Sequence, residues 1–337
     1  MANVQWNSAL EVSRWAKELF TSAKKDTYFS RFFGGSNSAI HVLNDLKAAK
    51  GKDVTVGLKM KIEGSGITGD NTLAGNEVGI DTYTQTVTLD QLRQGVLSTG
   101  KMHDKKTLID FRKEALDSLK VWFAETMEND LITALSASPT YRLHSAAGAN
   151  YHTDIAPWTS TTGVVAGDTI GAKAISRLVA RAKLLNPKVR PIRVNGKDYY
   201  VLILHPEAAH ELKNQSDFMN AAQYAMPRGS DNPLFTGALG MWDGCVIHEH
   251  DGILTADDGG SGSEGSTGGT HYCRNLFMGA QAGIAAFGGD HNWHEETVDR
   301  GNKLSVSASV IYEFSKAKFN SKDFAVIEYN TLTTSLT

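Results

Sequence analysis

Cysteine is nearly absent: Cys245 and Cys273 are the whole supply among 337 residues. Two thiols without a Cys-x-x-Cys spacing exclude a disulfide framework and predict a reducing compartment such as a cytoplasm. Long apolar runs are missing too. The longest uncharged one, Leu276 to Gly289, spans about fourteen residues and holds four glycines, short of the roughly twenty that cross a bilayer. The opening Met1-Ala-Asn-Val-Gln-Trp6 lacks a basic segment followed by an apolar one, so no secretory leader is expected. Net charge is small: 34 basic against 37 acidic residues leave −3 and a pI near 6.4, which argues against a surface devoted to wrapping nucleic acid. The phosphate-binding pattern GxxxxGK[ST], the nucleophile elbow GxSxG and the zincin pattern HExxH do not occur, removing the simplest NTPase, serine hydrolase and metalloprotease readings.

What is present points to a two-stranded arm. Val54, Val56, Leu58, Met60 and Ile62 alternate on one side of an extended segment, with Lys59 and Lys61 on the other. A Gly-rich stretch follows, and Tyr83 to Leu89 forms the returning strand with Thr82, Thr84, Thr86 and Thr88 on a polar face. Such a ribbon is marginally stable alone in water, so its apolar stripe needs a surface on its own body or on another molecule. Assembly between copies is the expectation.

Further along, apolar residues from Leu108 to Leu135 recur at helical spacing without Gly or Pro, predicting a long helix over 104–136 closed by Pro139. A second helix is expected over 171–185. Ile192 to Leu204 predicts a hairpin about Asn195-Gly196 with Val201 to Leu204 as a buried strand, and Pro206 opens a further helix. Residues 255–270 read as an exposed loop. Alternation at Leu304, Val306, Ala308 and Val310, and an apolar run from Phe324 to Tyr329, predict C-terminal strands that cover the long helix.

Chemistry has few candidates. The GxGxxG matches at Gly64 and Gly260 open no helix in a βαβ unit and read as loops. A metal-dependent hydrolase is the enzymatic alternative, built on His248, His250, His291 and His294, with Cys245, Cys273 and His271 near in sequence. A binding module resting on the Gly-Ser loop is another. Lys24, Lys25, Arg31, Lys47, Lys50 and Lys52 read as a solvated face. Residues 1–50 carry seven cations against four acids, and 251–300 carry eight acids against two cations, a polarity suited to head-to-tail contacts.

Local words then connect the chain to a family. Arg31-Phe32-Phe33-Gly34, Gly51-Lys-Asp-Val-Thr-Val56, Gly69-Asp-Asn-Thr-Leu73 with Gly75-Asn-Glu77, Asn232-Pro-Leu-Phe-Thr-Gly-Ala-Leu-Gly240 and Lys322-Asp-Phe-Ala-Val326, in this order and spacing, resemble the N4-type major capsid family of tailed phages. The resemblance implies an α+β fold of the Hong Kong 97-like type. Its parts are an N-terminal arm (1–53), an extended β-hairpin loop (54–90), a peripheral domain with the spine helix (91–139 and 301–337) and an axial domain (140–300). It further implies no catalysis and no cofactor, pentamers and hexamers of an icosahedral shell around double-stranded DNA, assembly in the bacterial cytoplasm, and scaffold, portal and decoration proteins as further partners. No membrane is involved. Arg31, Phe32, Phe33, Val54, Val56, Leu58, Lys59, Met60, Lys61 and Ile62 are the expected inter-subunit contacts.

Overall fold

The structure, a computed structural model, describes residues 19–43, 51–59, 66–72, 74–77, 79–80, 82–106, 110–146, 154–157, 168–218, 238–257, 271–289 and 292–333. Residues 19–26 form helix α1, and Tyr28–Phe32 a 3-10 turn. Strands β1 (Phe33–Gly34), β2 (Ile40–Leu43), β3 (Asp53–Lys59), β4 (Thr82–Thr88) and β5 (Asp90–Leu97) follow, then helices α2 (Lys101–Lys106) and α3 (Phe111–Ser136). Next come β6 (Arg142–Ala146), β7 (Asp154–Pro157), α4 (Ala172–Leu184), β8 (Ile192–Val194), β9 (Lys197–Leu204) and α5 (Pro206–Lys213). From Ala238 the described elements are strands: β10 (Ala238–Trp242), β11 (Cys245–Glu249), β12 (Thr255–Asp257), β13 (His271–Met278), β14 (Gly283–Phe287), β15 (Asn292–Val298), β16 (Lys303–Lys316), β17 (Lys318–Phe319), β18 (Lys322–Asp323) and β19 (Val326–Leu332).

Two large sheets organise these strands. The nine-stranded sheet runs β10-β11-β9-β13-β19-β6-β7, with β12 beside β13 and β8 beside β9. Inside it lies β9, parallel to β11 and antiparallel to β13, and Val201 to Leu204 are fully buried there, as expected of an apolar run covered on both faces. The turn at Asn195-Gly196 has φ values of 51° and 78°, the left-handed pair that a tight hairpin demands. The six-stranded sheet runs β1-β2-β14-β16-β15, with β5 on the other part of β16. Strand pairing cuts across the boundaries expected from sequence. β14 and β15 lie within 140–300 yet pair with β2 and β16, while β19, from the C-terminal segment, joins the nine-stranded sheet.

The long helix begins later than predicted. Asp110 accepts a hydrogen bond from the Arg112 backbone N–H at 3.1 Å and caps α3, so α2 and α3 replace one continuous helix. The 26 residues of α3 span about 39 Å. Ala115, Leu119, Phe123, Met127, Leu131 and Leu135 are buried at intervals of four. Each such step turns 400°, so the stripe advances about 40° per step and roughly 200° over its length. A stripe that winds this far needs partners on different sides. Phe20 of α1 meets Phe123 edge-on at 4.9 Å. Near the C-terminal end, a Cβ added to Gly283 of β14 would lie 3.2 Å from Leu135, and one added to Gly252 would lie 2.9 Å from Ile132. The last turn of α3 is thus wedged between the strands of one sheet and the turn leaving β11 of the other, and a single apolar core includes residues from both.

Phe123→Ala is expected to cost about 3–5 kcal/mol, whereas Val121→Ala, on the exposed side of α3, is expected to stay within about 0.5 kcal/mol. Denaturant unfolding of the two variants checks the orientation of the stripe.

Candidate functional site

The arm forms as a ribbon with the expected apolar and threonine faces. β3 and β4 are antiparallel, pairing Val54 with Val87, Val56 with Gln85 and Leu58 with Tyr83 on one face, and Thr55 with Thr86 on the other. The threonine face is exposed and carries its own links: Thr88 donates to Asp53 at 2.6 Å, and the Thr55 and Thr86 hydroxyls lie 3.4 Å apart.

The root of the apolar face is covered by the same chain. Val87 and Leu89 are buried against Ile284, Ala286 and Ala317, with Val54, Val56, Ile311 and Phe319 packed around them. β14 and the β16–β17 corner thus supply apolar surface to the proximal half of the stripe, and Val54 and Val56, expected at an inter-subunit contact, are half-buried there. Gln85 fastens the join. Its Nε2 donates to Ser315 Oγ at 3.0 Å and to the Lys316 carbonyl at 2.8 Å, and its Oε1 accepts from the Lys318 N–H at 2.7 Å. Farther out, Leu58 is half-buried, and the described tip residues are mostly exposed, none of them buried. Met60, Lys61 and Ile62 lie outside the described residues, and of Lys59 only the backbone pairing with Thr82 is described.

Beneath the clamp sits a buried ion pair. Lys316 Nζ lies 2.9 Å from Asp323, with both side chains almost wholly enclosed. Lys316 also donates to the Ser138 carbonyl, and Asp323 accepts from the Thr140 N–H and donates its own N–H to Thr140 Oγ1. The pair therefore joins the segment just after α3 to the strand corner that holds the arm. Burial lowers the affinity of Lys316 for its proton, and Asp323 opposes that shift.

The N-terminal candidates turn inward. Phe29 and Phe32 are enclosed in the core, so the Phe32 ring is withdrawn from the subunit surface. Arg31 stacks over the Tyr28 ring at 4.0 Å, and Phe33 stacks on Phe314. Both are half-buried within their own chain.

The histidines are not assembled into one site. His248 is buried, its Nδ1 3.1 Å from the Tyr28 hydroxyl and its ring edge-on to Phe32. His250 bonds to Glu128 of α3. His294 is exposed on β15 in the other sheet, and His291 lies outside the described residues. Among the described residues, one group of metal-ligating side chains converges, His205, Glu207 and Cys273, and it shares only Cys273 with the set expected from sequence.

A family profile described as Phage capsid protein matches residues 3–333. The chain belongs to the phage capsid protein family. A major capsid protein of Pseudomonas phage KPP25 is 29% identical over 350 residues, 93% of either chain. The capsid of Ralstonia phage GP4 superposes with a TM-score of 0.76 at 28% identity over 93% of both chains. For the capsid of cyanophage Pam1 the TM-score is 0.73 at 22% identity, covering 90% of this chain and 92% of that one. The fold is the mixed α+β, Hong Kong 97-like fold of phage capsids, and the chain is a phage major capsid protein, a structural protein and not an enzyme.

For a capsid subunit, the informative residue that sequence reading passed over is Gln85. It falls on the apolar side of the arm between Tyr83 and Val87, and an amide in that position signals a polar partner on the body. Glu313 is a second such residue. Burial, then the charges of Asp130 and Asp90, push its carboxyl above the ordinary carboxylate range. The folded chain therefore holds this proton more tightly than the unfolded one. Ionised Glu313 weakens folding at neutral pH, and the penalty is relieved as pH falls through the raised value.

Gln85→Ala is expected to loosen the arm root by about 1–3 kcal/mol, from hydrogen bonds worth about 0.5–1.5 kcal/mol each, read as faster amide exchange in β4 with exchange in β9 unchanged. Glu313→Gln is expected to raise the unfolding temperature at pH 7, with the difference closing as pH is lowered towards the ordinary carboxylate value.

Proposed function

We propose that this chain is the subunit of an icosahedral phage head, of the N4 type, in which pentamers and hexamers of one polypeptide enclose double-stranded DNA. The observation that carries the reading is a whole-length match to capsid subunits in both sequence and fold, combined with an arm held at its root whose described tip residues are mostly exposed. In this reading the distal stripe, Leu58, Met60 and Ile62 with Lys59 and Lys61 on the reverse, lies on an adjacent copy. Val54 and Val56 serve the root. The nine-stranded sheet forms the axial unit around which copies meet, and α3 with the six-stranded sheet forms the peripheral unit.

The physical logic is that of many weak contacts added around a closed surface, each correctable during assembly. An arm contributes apolar area to a neighbour with little added mass. The small net charge of −3 suits packaged DNA, since a strongly cationic lining would bind phosphates tightly and oppose entry and exit. Assembly takes place in the host cytoplasm, with scaffold, portal and decoration proteins as additional partners.

Expression of the full chain alone, followed by light scattering and negative-stain electron microscopy, is expected to yield capsomers or closed particles. Replacing residues 60–81 by a two-residue Asn-Gly turn is expected to leave the circular dichroism spectrum native-like while abolishing particles. A native chain that stays monomeric at assembly concentrations, or particles that form equally well without the distal arm, would contradict the proposal.

A further inference from the structure

The first turn of α5 and the outer end of β13 bring together a set of electron-pair donors that shell building does not require. His205 is the N-cap of α5, and its Nδ1 accepts from the Glu207 N–H at 3.3 Å. That bond assigns Nδ1 a lone pair, since a backbone N–H only donates. The same Nδ1 lies 3.7 Å from Glu207 Oε2, so two acceptors face each other. Cys273 Sγ completes the group at 3.7 Å from Oε2, and all three ligand atoms lie within 4.8 Å of one another. Glu207 and Cys273 are buried, and His205 is half-buried.

The surroundings hold these groups in place. Glu207 Oε2 accepts from His271 Nε2 at 2.7 Å and from the Thr333 hydroxyl at 3.2 Å. The His205 backbone N–H is fixed by Asn275 Oδ1 at 3.0 Å. Oriented carboxylates backed by a second ring of donors are the usual support of a metal ligand set. A tetrahedral zinc keeps N, O and S ligand atoms about 3.3–3.6 Å apart, given bond lengths of about 2.0–2.3 Å. Two of the three separations here exceed that by only a few tenths of an ångström.

We propose that His205 Nδ1, Glu207 Oε2 and Cys273 Sγ form a zinc site, with His271 orienting the carboxylate and water in the fourth position. Binding exchanges three hydrogen bonds for metal bonds: the Cys273 thiol bond to Oε2, the long cap bond of His205, and the Thr333 bond to Oε2, whose hydroxyl turns to the thiolate 3.3 Å away; the thiol proton is released to solvent. The ion would pin α5 to β13, two elements that flank strand β9. It is a structural clip within the nine-stranded sheet and carries no catalytic role.

The test uses the full chain, purified as particles without chelator from cells grown in zinc- or cobalt-supplemented medium. The expected result is about one metal per chain after gel filtration, and in the cobalt form a near-ultraviolet thiolate-to-cobalt charge-transfer band. Cys273→Ser should remove that band, and His271→Asn should weaken retention about 10–100-fold. Cys245→Ser, at the other buried thiol, should keep both metal and band, and electron microscopy of each variant's particles shows whether the chain still folds. Metal well below one per chain, or content and band indifferent to Cys273→Ser in intact particles, means an adventitious metal only and overturns the site.

Discussion

A ribbon of two strands has one face to bury and too little of its own structure to bury it against, so where its apolar side finds cover decides what the subunit can do. In this chain the cover is divided. Val87 and Leu89 sink into a pocket formed by Ile284, Ala286 and Ala317, and Gln85 bonds to three backbone or side-chain groups of the β16–β17 corner. Those contacts set the position of the root. Farther out, the described residues are not buried: Leu58 is half-buried and the described tip residues are mostly exposed.

The corner is itself tied to the long helix. Lys316 and Asp323 are enclosed together and reach Ser138 and Thr140, the residues just past α3. A pair buried this completely adds little net stability compared with an apolar substitute, but removing one partner strands the other charge. Its effect is therefore on geometry: helix end, strand corner and arm root are held in one arrangement. The winding stripe of α3 extends the same coupling, because its first half meets α1 and its last turn meets both sheets. The arm root is thus tied to a body whose main elements are joined through one helix.

Much of this was legible in the residues. Alternation in Val54 to Leu58 and in the threonine strand yielded the ribbon and its two faces, and Asn195-Gly196 with the apolar run after it yielded the hairpin and the buried strand. The start of α3 was misread because Asp110 interrupts the helical pattern as a cap, and a polar residue between apolar positions looks the same whether it caps a helix or faces solvent. Sheet membership was harder still. Pairing of β14 with β2 and of β19 with β13 joins segments hundreds of residues or tens of residues apart, and periodicity carries no information about which strands meet. The histidine cluster failed for a related reason: His248 and His250 share a segment but are absorbed by Tyr28 and Glu128, contacts set by the fold of the N-terminal turn against α3. Of the donors that proximity in sequence suggested, only Cys273 falls in the group that converges, where the topology brings it to His205 and Glu207.

An electron cryo-microscopy reconstruction of assembled particles, resolved well enough to trace side chains, tests the division of the arm most directly. The account predicts Val87 and Gln85 seated in their own subunit while Leu58, Met60 and Ile62 rest on an adjacent one. Finding that outer stripe folded onto its own body, with no second copy within contact distance, would contradict it.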